Sequence, residues 1–230
     1  MKTIGILGGM SWESSAQYYA IINREVRKRR GGIVSAPLLM HSFDFDAIAA
    51  LQRAGDWDRL GEMLADAAAG LEHAGAEVIL IATNTMHKVA PAVEERIDCP
   101  LLHIADPLAQ AFTAARHDTV GLLATRFTME EPFYADRLAE HGLNVVIPDA
   151  ADRAEIHRII FDELCAGEIR EESRQFCCKV IEDLSALGAH GIALACTEIM
   201  LLIDQEDSAL PLFDTTRLHA GAAVDFALSN

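Results

Sequence analysis

Two patterns of hydrophobic and polar positions alternate along the chain. Short runs rich in Ile, Leu, Val and Ala lie near 3–7, 36–42, 77–82 and 101–104, and again near 119–123, 144–148, 191–195 and 211–213. Runs such as VILIA and IALA are apolar throughout, as expected of strands buried on both faces of a parallel sheet. Between these runs apolar residues recur at helical spacing. Leu60, Met63, Leu64, Ala67 and Leu71 fall on one helix face, with Asp58 as the expected N-cap and Gly75 beyond the C-terminus. Phe176, Val180, Ile181, Leu184 and Leu187 form a matching stripe ahead of Gly188. Strands alternating with helices of this length predict an α/β fold of mostly parallel sheets flanked by helices.

The pattern also repeats. TIGILGG from Thr3 matches TVGLLAT from Thr119, AGAEVILIATNT from Ala74 matches LGAHGIALACTE from Leu187, and PLLHIADPLAQA from Pro100 matches PLFDTTRLHAGA from Pro211. The offsets, 119−3 = 116, 187−74 = 113 and 211−100 = 111, keep three blocks in order with small drift. Two pseudo-symmetric α/β domains are therefore expected, residues 1–98 with 210–230 carrying Thr83 and residues 99–209 carrying Cys196, with a ligand site in a cleft between them. Thr83 and Cys196 stand at equivalent positions, 113 residues apart. Two polar groups so placed suit proton transfer on opposite faces of one ligand.

Composition narrows the function classes. With 230 residues, 51% hydrophobic and 23% charged, the chain has ordinary globular content and enough length for a sizeable core. A formal net charge of −16 argues against nucleic acid, whose binding depends on Lys and Arg displacing counterions. The one basic cluster, Arg24, Arg27, Lys28, Arg29 and Arg30, closes an expected helix and suits the negative end of its dipole. The apolar runs are strand-sized, so no membrane partner is expected, and the opening MKTIGILGGMSWE lacks a signal-peptide pattern. A cytoplasmic location is the expectation. Cys99, Cys165, Cys177, Cys178 and Cys196 are an odd set without metal-ligand spacing, which points to reduced thiols and no metal site.

Candidate chemistry gathers at the expected carboxyl ends of strands, where parallel sheets bind ligands. Gly8-Gly9-Met10-Ser11 follows the first strand and Thr83-Asn84-Thr85 the third; Thr125-Arg126-Phe127-Thr128 and Cys196-Thr197-Glu198 are the counterparts in the second half. Each precedes a helix-compatible stretch, whose N–H groups and dipole suit a carboxylate. Gly5, Gly8 and Gly9 do not fit the dinucleotide fingerprint G-x-G-x-x-G, and there is no Walker lysine motif. Cys196 reads either as a buried core thiol or as a thiolate favoured by a helix N-terminus. Thr83 reads either as the N-cap of the next helix or as a proton donor that also orients water. His87 is expected on a helix surface, and His103 and His157 in structural roles. Gln52 and Arg53, in a glycine-containing connection, suit either a carboxylate contact or an exposed loop.

TNTMH at 83–87, CTE at 196–198, GILGGMSWES at 5–14 and FDT at 213–215 together resemble the signatures of the aspartate/glutamate racemase family over essentially the whole chain. The resemblance implies two Rossmann-like domains, a homodimer, and a site between the domains that needs no cofactor and no pyridoxal phosphate. In that family a cysteine from each half flanks the substrate α-carbon, one removing its proton as thiolate and the other supplying one. Here Thr83 replaces the first cysteine and Cys196 keeps the second. That pairing resembles a threonine/cysteine subgroup favouring L-aspartate and L-glutamate. It implies that Cys196 deprotonates the L-amino acid while Thr83 serves the opposite face, directly or through water. Substrate-binding positions carried over by the resemblance are Met10, Gln52, Asn84, Thr85, Thr125 and Thr197. A lysine found near the position of Cys165 in some relatives is missing. The alternatives are a single-cysteine decarboxylase or isomerase of the same superfamily, or a silent protein that binds acidic amino acids.

Overall fold

A computed structural model of the chain describes residues 1–229, which form two compact units: Met1–Ile104 with the chain from His219 onward, and Ala105–Leu218. The first unit runs β1 (Ile4–Gly8), α1 (Trp12–Arg30), β2 (Leu38–Ser42), α2 (Phe45–Ala54), α3 (Trp57–His73), β3 (Val78–Ile81), α4 (Ala90–Glu94) and β4 (Leu101–Leu102). Its four strands are all parallel in the order β2-β1-β3-β4. The chain leaves β1 toward β2, then crosses back to β3, so the order reverses between β1 and β3.

Alternation along the strands divides the core into two layers, because successive side chains point to opposite faces. Ile4, Ile6, Val78 and Leu80 pack with Tyr18, Ile22 and Val26 of α1 and with Ala220, Ala223 and Val224. Leu7, Ile79 and Ile81 pack on the other side with Ile48, Leu60, Leu64 and Met86. Each fully buried Ile or Leu contributes about 1.5–3 kcal/mol. Leu60, Leu64 and Leu71 bury the expected face of α3, but Asp56 rather than Asp58 caps it, accepting from the Arg59 N–H at 3.2 Å. The basic cluster does close α1, where Arg29 pairs with Glu25 and Asp225.

The second unit holds α5 (Ala105–Ala114), β5 (Thr119–Ala124), α6 (Arg126–Glu130), α7 (Pro132–Glu140), β6 (Asn144–Val146), α8 (Ala150–Arg158), α9 (Glu171–Ala186), β7 (Gly191–Ala195), β8 (Leu212–Asp214) and the start of α10 (Thr215–Leu228). Its parallel sheet has the order β6-β5-β7-β8, strand for strand the plan of the first. Val180, Ile181 and Leu184 bury the predicted stripe of α9, while Leu187 lies past the helix end and is exposed.

The repeat extends to single contacts. A Cβ on Gly5 would stand 2.6 Å from Ile79 Cδ1 and 2.9 Å from Ala76 Cβ; a Cβ on Gly121 would stand 2.6 Å from Ile192 Cδ1 and 3.1 Å from Ala189 Cβ. Both glycines exist so that an isoleucine of the neighbouring strand can cross the sheet surface above them. The unit boundaries differ from 98/99 and 209/210. β4 bonds to β3 and keeps residues up to Ile104 in the first unit, and β8 bonds to β7 and keeps residues up to Leu218 in the second.

Candidate active-site strand ends

Within each unit the polar clusters lie at the carboxyl ends of the two central strands, where the strand order reverses and open α/β sheets bind their ligands. In the first unit the turn after β1 is tightly held. Ser15 Oγ accepts from the Gly9 N–H at 2.7 Å and donates to the Ser11 carbonyl at 3.0 Å. Ser11 caps α1 by accepting from the Ser14 N–H at 3.3 Å, and Ser14 Oγ donates to the Ala82 carbonyl at 2.8 Å, tying this turn to the end of β3. Gly9 has φ of 80°, and a Cβ there would run into the Phe43 backbone, so only glycine fits. The Gly9 N–H is thus spent inside the protein and is not a donor for a carboxylate. Met10 is buried in the core layer below this turn.

At the end of β3, Thr83 is half-buried, and among the described residues its hydroxyl forms no hydrogen bond. It does not cap the following 3-10 turn, Thr85–Val89, whose N-cap position is Asn84 and which has no side-chain cap. Asn84 and Thr85 are both buried. His87 is buried as well, contrary to the surface position expected of it: the turn directs the ring inward against His103, with centroids 4.5 Å apart. Gln52 lies in α2 rather than a loop and is buried, its Nε2 donating to Met86 Sδ at 3.2 Å, while Arg53 beside it is exposed.

In the second unit β5 and β7 pair as far as Ala124 and Ala195, which brings the following residues, Thr125 and Cys196, to neighbouring strand ends. Thr125 caps α6, accepting from the Thr128 N–H at 3.4 Å. Cys196 is buried, and its Sγ donates to Glu198 Oε2 at 3.1 Å. Thr197 Oγ1 donates to the same oxygen at 2.7 Å. The Glu198 backbone N–H also points to the sulfur.

Burial first, and then the Glu198 carboxylate, push the Cys196 thiol well above its ordinary range. Of the two readings the sequence leaves open for Cys196, these surroundings favour the buried thiol. Only a three-residue 3-10 turn, Ile199–Leu201, follows, too short for an appreciable dipole, and a buried carboxylate faces the sulfur. The sulfur and the Glu198 carboxyl group are thus direct hydrogen-bond partners. The sequence pattern alone assigns Glu198 no role, although it completes the CTE motif. The signal was the carboxylate two residues from the cysteine, and its direction depends on the turn.

Other features lie apart from the strand ends. A groove of about 730 Å³ runs between α3 and α4, lined by Trp57, Gly61, Ala65, Lys88, Ala92 and Arg96 among others, and none of the strand-end residues above lines it. His157 is wedged between Phe127 and Phe161. Among the described residues no three His, Cys, Asp or Glu side chains gather as a metal would require, and no helix is long and apolar enough to cross a membrane.

Comparison with known proteins agrees with this architecture. Residues 7–223 match the family model described as Asp/Glu/hydantoin racemase. A Yersinia pestis protein provisionally assigned as an Asp/Glu racemase is 49% identical, with a TM-score of 0.93 and full coverage of both chains. An aspartate racemase homologue from Pyrococcus horikoshii is 32% identical, with a TM-score of 0.85, again over both chains in full. The broad specificity amino-acid racemase of Bacillus subtilis is 23% identical over 98% of each chain. The chain belongs to the Asp/Glu/hydantoin racemase family.

Proposed function

We propose that this protein racemises an acidic amino acid, aspartate or glutamate, without a cofactor, using Cys196 on one face of the α-carbon and Thr83 on the other. The observation that carries the reading is the buried thiol hydrogen-bonded to Glu198, at the strand end equivalent to that of Thr83. An amino-acid α-proton is weakly acidic, so the base must be activated where it is used. Passing the thiol proton to Glu198 gives a thiolate and a neutral carboxylic acid, with no net charge added to a buried site. The thiolate then takes the α-proton. The uncommitted Thr83 hydroxyl delivers a proton to the opposite face and regains one from water, and the Cys196 proton returns to solvent. A threonine hydroxyl is a poor base, so abstraction from the D-enantiomer goes through the weaker of the two groups. Asn84, Thr85, Thr125 and Thr197, with the Gln52 amide and Met10, are proposed to hold the two substrate carboxylates and amine. The names of the Yersinia and Pyrococcus relatives support this substrate class, and that of the Bacillus relative supports amino-acid racemisation without regard to substrate.

The test is proton NMR of the α-hydrogen of L-aspartate and L-glutamate in heavy water, with the D-enantiomers in parallel and chiral chromatography of the products. Loss of the signal together with inverted product is expected. No exchange from any of the four by the folded protein would overturn the proposal. Release of carbon dioxide from a malonate-type substrate would replace it with decarboxylation.

A further inference from the structure

The first unit buries a set of imidazoles that the proton-transfer scheme does not use. The His87 ring meets His103 at 4.5 Å and His219 at 5.8 Å between centroids, and all three residues are buried. Hydrogen bonding settles the tautomer of His87. The Ile104 backbone N–H can only donate, and it lies 3.1 Å from His87 Nε2, so that nitrogen carries no proton. Nδ1 therefore bears the hydrogen, and it donates to the Thr83 carbonyl at 2.8 Å. His219 has the opposite arrangement. Its Nε2–H donates to the Leu102 carbonyl at 2.8 Å, and its Nδ1 accepts from the Tyr18 hydroxyl, also at 2.8 Å. His87 thus joins Thr83, two residues past β3, to Ile104, two residues past β4, and His219 holds Leu102, the last residue of β4.

We propose that His87 is a positioning residue for Thr83: its neutral Nδ1–H tautomer holds the Thr83 carbonyl and thereby the direction of the Thr83 hydroxyl. The inference rests on the racemase reading above, in which that hydroxyl serves one face of the substrate. The Thr83 hydroxyl has no hydrogen bond of its own among the described residues, so its aim depends on its backbone, and the imidazole is the side chain that holds that backbone. Burial, with His103 and His219 close by, holds the His87 pKa well below the ordinary histidine range, so the ring stays neutral and both bonds persist. A displacement of about 1 Å in a reacting group can cost about 10²-fold in rate.

Two isosteric amides separate this role from simple core filling. His87→Asn keeps a donor near the Nδ1 position and can hold the Thr83 carbonyl; His87→Gln keeps an acceptor near the Nε2 position for Ile104 and loses the Thr83 bond. Each full-length protein is incubated with the L-substrate in heavy water, and inverted product is counted against exchange with retention, which Cys196 alone can perform. His87→Asn is expected to keep inversion within several-fold of the unmodified protein. His87→Gln is expected to lose about 10²-fold in inversion while retaining its exchange. Equal loss of inversion and exchange in both folded variants, or full inversion by His87→Gln, would overturn the proposal. An unmodified protein with no exchange at all would instead overturn the racemase reading. Nitrogen-15 NMR of the unmodified protein tests the tautomer without any turnover or variant. A protonated Nδ1 and bare Nε2 on His87 at neutral pH are expected, and the reverse tautomer or an imidazolium would sink the inference.

Discussion

The ends of β3 and β7 occupy the same place in two copies of one topology, yet they hold their polar residues in opposite ways. At β3 the side chain of Thr83 is left uncommitted and the backbone is held, through His87, by a neutral ring with both nitrogens engaged. At β7 the side chain itself is engaged, the Cys196 thiol and the Thr197 hydroxyl both donating to Glu198 Oε2. A thiol is a far stronger acid than an alcohol, so in the proposed reaction a carboxylate has a use beside Cys196 as transient acceptor of its proton, and would gain nothing beside Thr83. On the proposed mechanism, each end surrounds its residue with the group that residue can use. The two sheets share one topology, and the contacts differ in the turns that follow the matched strand ends.

The largest expected effect comes from removing the thiol. Cys196→Ala is expected to lower α-proton exchange from the L-enantiomer by about 10⁴-fold, the upper end of what a positioned base contributes, as measured by NMR in heavy water. Exchange near the unmodified rate would place the base elsewhere and dissolve the comparison.

Glu198→Gln sharpens it. The carboxylate raises the thiol pKa, so removing it must lower that pKa, seen as alkylation of the Cys196 peptide shifting to lower pH. Racemisation is nonetheless expected to fall by about 10²-fold, because the acceptor of the thiol proton is lost. Faster racemisation would mean that Glu198 merely suppresses the thiolate.

Thr83→Cys makes the two ends alike. Turnover from the D-enantiomer is expected to rise by about tenfold, because a thiol is the better base at that face. The equilibrium constant of a racemisation is one, so the two kcat/KM values must rise together and only the individual kcat and KM can differ. An unchanged D-side kcat would show that the missing thiol does not limit that direction.

The smallest effect tests the duplication itself. Gly5→Ala and Gly121→Ala each place a methyl 2.6 Å from an isoleucine Cδ1, and each should cost about 1–3 kcal/mol in denaturant melts. Closely similar costs would show that the two sheets meet the same packing demand. A clear inequality would show that the backbone around one of them yields more easily.

Much of the fold was legible because apolar alternation and the three repeated blocks are local patterns, read one element at a time. All eight strands stand close to the expected segments, and Thr83 and Cys196 stand at equivalent ends. Details that depend on how a turn closes were not legible. Asp56 and Asp58 are equally plausible caps until the first turn of α3 selects one. Gln52 reads as a loop residue because Gly55 follows it closely, yet the glycine adopts a left-handed conformation just past the end of α2 and leaves the amide on the buried face of that helix.

What the sequence by itself determined is the class of molecule: a duplicated, parallel α/β chain with a threonine and a cysteine at matched strand ends, and a family signature spread over both halves. Tertiary structure alone decided the state of those groups. A pKa and a hydrogen-bond direction depend on burial and on neighbours within a few ångströms, such as Glu198 against Cys196, or Ile104 and Thr83 on the two nitrogens of His87. Side chains one or two residues apart can point to one sulfur or away from it, and two residues 104−83 = 21 apart can share one ring. Only the closing of the turns makes that choice.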